Sequence, residues 1–189
     1  MIPLRTWLME SGAQRDVIDG LASFGDDWEA MWNGSPRGDW LLGIAERVGV
    51  DHRALVVAAI GCAELALDYV VPEEARNVLA TATRWTKGEA DADEVKRATA
   101  ALEEASKTPA DPSCEAGVRA AIAVGMGVED RTVLPTAPAA ATEAAITASI
   151  DCGFEMAMRW AHDKCASAVR LAIPWSLVQP CVSKLGGSR

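Results

Sequence analysis

The feature that most constrains this chain is the stretch Ala54-Leu-Val-Val-Ala-Ala-Ile-Gly-Cys-Ala-Glu-Leu-Ala-Leu-Asp-Tyr-Val-Val71, which carries only two charges, Glu64 and Asp68. Four residues apart, the two carboxylates share one edge of a helix and leave every other direction apolar. A helix apolar nearly all round is packed on several sides, so this one is expected at the centre of the fold. It opens behind Asp51, a good N-cap, and stops before Pro72. The reading is therefore a buried central helix over 52–71, roughly 20 residues or about 30 Å long.

Around it the chain reads as helix throughout. Ala dominates, Val, Ile and aromatics are modest in number, and no convincing period-2 strand occurs. Residues 3–35 hold three short pieces, Pro3 to Glu10, Ala13 to Ser23 and Asp26 to Trp32, separated by Gly12, Gly25 and Gly34. Ser35-Pro36 announces a helix ending at Gly49, with Trp40, Leu41, Ile44, Ala45 and Val48 as its apolar stripe. Beyond Pro72, helices follow over Glu73 to Lys87, from Asp91 through Ala105, and from Cys114 to about Val128. Ala139 to Ala172 reads as one long helix. Its stripe is Ile146, Ile150, Phe154, Met158, Ala161, Cys165, Ala168 and Ala172, opposite a ladder of Asp151, Glu155, Arg159 and Asp163. Gly153 is its one candidate kink, and Pro174 ends it before a last turn.

The expected fold is all-α, an antiparallel array of eight or nine helices around the central one. Residues 1–35 form an N-terminal helical cap, 36–180 the main domain and 181–189 a flexible tail, in one compact unit.

Net charge is −9, and residues 1–95 carry 17 acids against 8 bases while residues 96–189 carry 10 of each. Such a field repels nucleic acid and anionic membranes and steers a basic partner toward the N-terminal half. Five scattered cysteines fit free thiols in a reducing compartment, and no signal peptide or membrane span is recognisable, so a cytoplasmic location is expected.

Catalytic chemistry is sparse. His162 and Cys165, at i and i+3, are the nearest approach to a metal or nucleophile pair, with Cys152 about three turns away and His52 on another helix. No phosphate loop, serine elbow or zinc-protease motif is present, so no catalytic residue, metal or cofactor is assigned. Glu64 and Asp68 are expected to form structural ion pairs with Arg76 and Arg84 rather than to act as acid and base. Trp28 and Trp32 beside Asp26, Asp27 and Glu29 form a candidate aromatic and acidic partner-binding patch. Trp40, Cys62 and Trp85 are assigned to core packing.

Gly38-Asp39-Trp40-Leu41-Leu42, the Cys62-Ala63 step in the central helix, and the run from Arg76 through Ala82 and Trp85 to Gly88 together resemble the all-helical immunity proteins of bacterial polymorphic toxin systems. The spacing Ala82-x-x-Trp85-x-x-Gly88 is kept; Asn77 replaces the proline of an Arg-Pro step and Leu79-Ala80 stands in place of Ala-Ile. The resemblance covers about residues 12–165 and implies a helical protein that binds and neutralises a cognate toxin, with no contact residue carried over. A self-associating adaptor and a helical pocket for a small molecule are the alternatives.

Overall fold

A computed structural model describes residues 2–68, 71–108, 110–149 and 153–185. Among them are eleven α-helices and no strand: α1 Leu4–Glu10, α2 Arg15–Leu21, α3 Trp28–Gly34, α4 Gly38–Val48, α5 His52–Ala63, α6 Glu73–Thr86, α7 Ala92–Ala105, α8 Pro112–Gly127, α9 Thr136–Ala148, α10 Phe154–Ala172 and α11 Trp175–Lys184. Short 3-10 turns follow α2, α5 and α8, at Ala22–Phe24, Glu64–Asp68 and Arg131–Val133.

The central helix is α5. Leu55, Val56, Ala58, Ala59, Cys62 and Ala63 are buried, and α4, α6, α8, α9 and α10 all pack against it. Asp51 caps it by accepting from the Ala54 amide at 3.2 Å. The α-helix is shorter than the apolar run, however: it ends at Ala63, and Glu64–Asp68 tightens into 3-10 geometry. Tyr69 and Val70, the last turn of the expected 52–71 helix, lie outside the described residues. Glu64 is exposed rather than held in an apolar wall. The change of helix type gives a physical reason, because a 3-10 turn rotates the following residues away from the α-helical stripe.

Start signals account well for the following hairpin. Asp91 accepts from the Glu94 amide at 2.7 Å while Glu94 accepts from the Asp91 amide at 3.0 Å, a complete capping box at the head of α7. Asp111 caps α8 ahead of Pro112. Small residues then let helices approach closely: a methyl at Gly125 of α8 would strike the Thr99 side chain on α7. The start of α4 is different from expectation. Ser35 does not cap it; the helix begins at Gly38, and the buried Ser35 carbonyl instead accepts from Arg170 at 2.8 Å.

The expected long helix over 139–172 is two helices. Gly153, with φ +98°, opens α10 in a backbone region closed to ordinary L residues, and α9 has already ended at Ala148. With a fresh phase, α10 turns Ala157, Ala161, Cys165 and Val169 inward, while Phe154, read as part of the inward stripe, is 55% exposed. Ile150 and the ladder's Asp151 lie outside the described residues. The split of the long helix, and α11 where only a last turn is expected, bring the number above eight or nine. Residues 181–184 belong to α11 rather than to a tail; Gly186 to Arg189 lie outside the described residues.

Candidate functional site

The acidic stretch of α3 keeps its carboxylates on the surface and loses its indoles to the core. Asp26, Asp27 and Glu29 are exposed, and Asp27 also caps α3 by accepting from the Ala30 amide at 2.9 Å. Trp28 and Trp32 are 2% and 0% exposed. Four residues apart, they share the inward face with Met31, and each indole N–H is satisfied, Trp28 to the Ile2 carbonyl at 3.0 Å and Trp32 to the Ile173 carbonyl at 3.1 Å. The expected patch is therefore acidic only, and neither tryptophan is a surface anchor.

The arginines expected near Glu64 and Asp68 have other partners. Arg84 reaches Glu94 at 3.5 Å and donates to the Glu89 carbonyl at 2.9 Å, which ties α6 to the head of α7. Arg76 donates to the Leu67 carbonyl at 2.7 Å, with Glu73 at 3.9 Å. Among the described residues Glu64 has no ion pair, and the side chain of Asp68 lies outside them.

Trp40 and Trp85 are half-buried against the core and Cys62 is wholly buried. Trp85 takes the edge of His52, ring centres 5.6 Å apart, with the Arg53 guanidinium 5.8 Å away. His52 in turn is bonded to the Gly127 carbonyl at 2.7 Å. Cys62 donates to the Cys165 carbonyl at 3.5 Å; its bonding to Cys165 and its burial hold the thiol protonated, well above its ordinary range. Cys165 is 1% exposed, beside Thr142 and the Pro138 carbonyl. His162 is only half-buried with Nδ1 unpartnered; burial and then the charge of Arg37 push its pKa down. Cys152 lies outside the described residues. No group of three or more His, Cys, Asp or Glu side chains converges among the described residues.

The main recess is a cleft of about 590 Å³ where α1 and α2 lean on α4 and the start of α9. Its wall carries a fork: Arg37 donates to both carboxylate oxygens of Asp39, at 2.8 and 2.5 Å, and stands 4.5 Å over the Trp40 ring. Asp39 bonding holds the guanidinium above its usual pKa. Glu46, also on the wall, pairs with Arg131 at 3.3 Å, and Arg131 further donates to the Glu46 and Val50 carbonyls. Asp16, on the rim, is exposed and makes no ion pair among the described residues. Chemically, this is a recess with both signs of charge: Arg47 also lines it, donating to the Ser11 carbonyl at 3.3 Å without a carboxylate partner among the described residues, and Asp16 stands at the mouth. It suits recognition of a charged or hydrogen-bonding group.

Sequence reasoning does not single out the Arg37-Asp39-Trp40 constellation, in which only Trp40 is expected, as a core residue. Nor does it find the exposed apolar face of α10: Met156, Trp160 and Leu171 all lie off the expected stripe.

Residues 49–128, spanning α5 through α8, match the model of a family described as Imm-5 like putative immunity protein. That segment contains the Cys62-Ala63 step and the Ala82 to Gly88 spacing, whereas Gly38 to Leu42 lie before it and the cleft is lined by residues on either side of it. No curated protein and no solved structure matches the chain. Among the described residues no helix is long and apolar enough to cross a membrane.

Proposed function

We propose that this protein is an immunity-type inhibitor that binds a basic toxin or effector through its acidic N-terminal half, without chemistry of its own. The match over α5 to α8 carries the proposal, since it aligns the helical scaffold with immunity proteins. The charge distribution supports the partner's sign: residues 49–128 alone hold 13 acids and 8 bases, and the N-terminal helices add exposed Asp16, Asp26, Asp27 and Glu29. Uncommitted surface carboxylates raise encounter rates with a basic partner and set which partners are rejected. The rim of the cleft, with Asp16 beside the Arg37-Asp39 fork, offers a recess for a lysine or arginine side chain of that partner. Location in the cytoplasm, where an inhibitor would meet an incoming toxin, belongs to the same reading.

The test is co-expression with the product of the adjacent gene, followed by measurement of the complex. Rescue of growth and a stable complex are expected, with an association rate that falls as salt rises. The variant Asp16→Asn/Asp26→Asn/Glu29→Gln should slow association several-fold at low salt with little change in thermal stability. Absence of both rescue and complex overturns the inhibitor reading. A complex indifferent to salt and to the three substitutions leaves inhibition standing and overturns the acidic contact surface.

A further inference from the structure

The outer face of α10 carries apolar side chains with nothing packed on them. Met156 is 70% exposed, Trp160 46% and Leu171 87%. The strongest packing on α10, from α4, α5 and α9, serves a helix whose buried side chains are Ala157, Ala161, Cys165, Ala166 and Val169. Met156, Trp160, Asp163, Ser167 and Leu171 follow one another at spacings of four, three, four and four, the recurrence of a two-helix seam. From Met156 to Leu171 the seam is about 22 Å long.

Its order is self-complementary. When a second copy of α10 is laid antiparallel with the two-fold axis between Asp163 and Lys164, Met156 meets Leu171, Trp160 meets Ser167, and Asp163 meets Lys164, each twice by symmetry. The large indole thus faces the smallest seam side chain, the two flexible apolar chains face one another, and the central carboxylate faces an ammonium. Lys164 already leans toward the seam, its Nζ 5.9 Å from the Trp160 ring centre. Moving the two-fold axis onto Trp160, Asp163 or Lys164 opposes two indoles or two like charges.

We propose that the chain forms an isologous antiparallel dimer through the outer face of α10, held by Met156, Trp160 and Leu171 and set in register by Asp163 and Lys164. The dimer face lies outside the family-matched segment and does not depend on the inhibitor reading. One helix per copy is a small interface, so the dimer is concentration-dependent rather than permanent.

Sedimentation equilibrium of the full chain up to about 0.5 mM, well above a micromolar dissociation constant, tests it. The expected result is conversion of the 20.0 kDa chain to twice that mass. Trp160→Glu/Leu171→Glu should stay monomeric with unchanged helical circular dichroism. Asp163→Lys and Lys164→Asp alone, each setting like charges against one another, should weaken dimerisation at least ten-fold, and the double variant Asp163→Lys/Lys164→Asp should restore it. A wild-type chain monomeric throughout overturns the proposal. So does a dimer that survives Trp160→Glu/Leu171→Glu, or one that the double charge exchange fails to restore.

Discussion

At Gly38 the first residue of α4 lies so close to α10 that a side-chain carbon would fall 2.6 Å from Cβ of Cys165, 2.7 Å from its carbonyl carbon and 2.9 Å from the Ala166 amide nitrogen. Two of those atoms are backbone, which cannot swing aside as a side-chain end can. Gly38→Ala therefore has to push α4 off α10, and the layer that moves contains Cys62 and Cys165, both buried. Gly43, one and a half turns on in the same helix, is the natural control: a carbon there would meet the Pro135 ring at 3.8 Å, an ordinary contact. Gly38→Ala should lower stability by about 1–3 kcal/mol, the usual cost of overpacking. Gly43→Ala should leave it unchanged or raise it by up to about 1 kcal/mol, since alanine is the better helix former. Thermal and urea unfolding of the pair decides whether close approach, and not glycine content in general, holds this junction.

At the scale of elements the α9–α10 junction is the instructive one. Gly153 at φ +98° has no heavy atom within 4 Å of a would-be side-chain carbon, so Gly153→Ala tests backbone conformation without a clash. It should cost about 1 kcal/mol or somewhat more, and no such cost should follow Ala148→Gly beyond ordinary helix propensity. Most elements are legible in the sequence because caps and prolines are local: Asp51, Asp91 and Gly49 each act within a few residues of where they stand, whereas α8 starts at Pro112 behind Asp111, two residues before the expected Cys114. On α10 the expected inward positions Ala161 and Cys165 are buried and Ala168 and Ala172 pack against the core, but the stripe fails at Phe154, because Gly153 at positive φ breaks the helix there and alanine-rich sequence hides the break. Trp28 and Trp32 are legible as one apolar helical face, and tryptophan on such a stripe is generally core, but the partners of their indole N–H groups are not legible. Their burial depends on the carbonyls of Ile2 and Ile173, the latter 141 residues distant. Arg76 turns on the 3-10 turn after α5, whose Leu67 carbonyl it meets, and Arg84 on the α6–α7 corner, neither of which periodicity reveals.

For the molecule as a whole, the N-terminal helices are not a detachable cap in their contacts. Leu4, Trp7, Leu21, Trp28, Met31 and Trp32 belong to the same buried cluster as α5 and α8. The chain's two ends are also clasped by polar bonds: Trp32 donates to the Ile173 carbonyl, and Arg170 reaches back to the Trp32 and Ser35 carbonyls at 3.4 and 2.8 Å. The two Arg170 bonds are made by a charged donor in a half-buried site, where a hydrogen bond to an ion contributes about 1.5–3 kcal/mol. The aliphatic part of the arginine also packs, so Arg170→Met retains much of the volume and removes the bonds. The wild-type chain should unfold in a single transition reported alike by tryptophan fluorescence, to which Trp7, Trp28 and Trp32 of the N-terminal helices contribute beside Trp40, Trp85, Trp160 and Trp175, and by helical circular dichroism. Arg170→Met should move that transition to lower temperature by several degrees without dividing it, because the apolar part of the clasp persists. Two separated transitions, with fluorescence preceding loss of helix, would instead make residues 1–35 an independent layer. The acidic partner surface on that layer could then move relative to the scaffold that the family match covers.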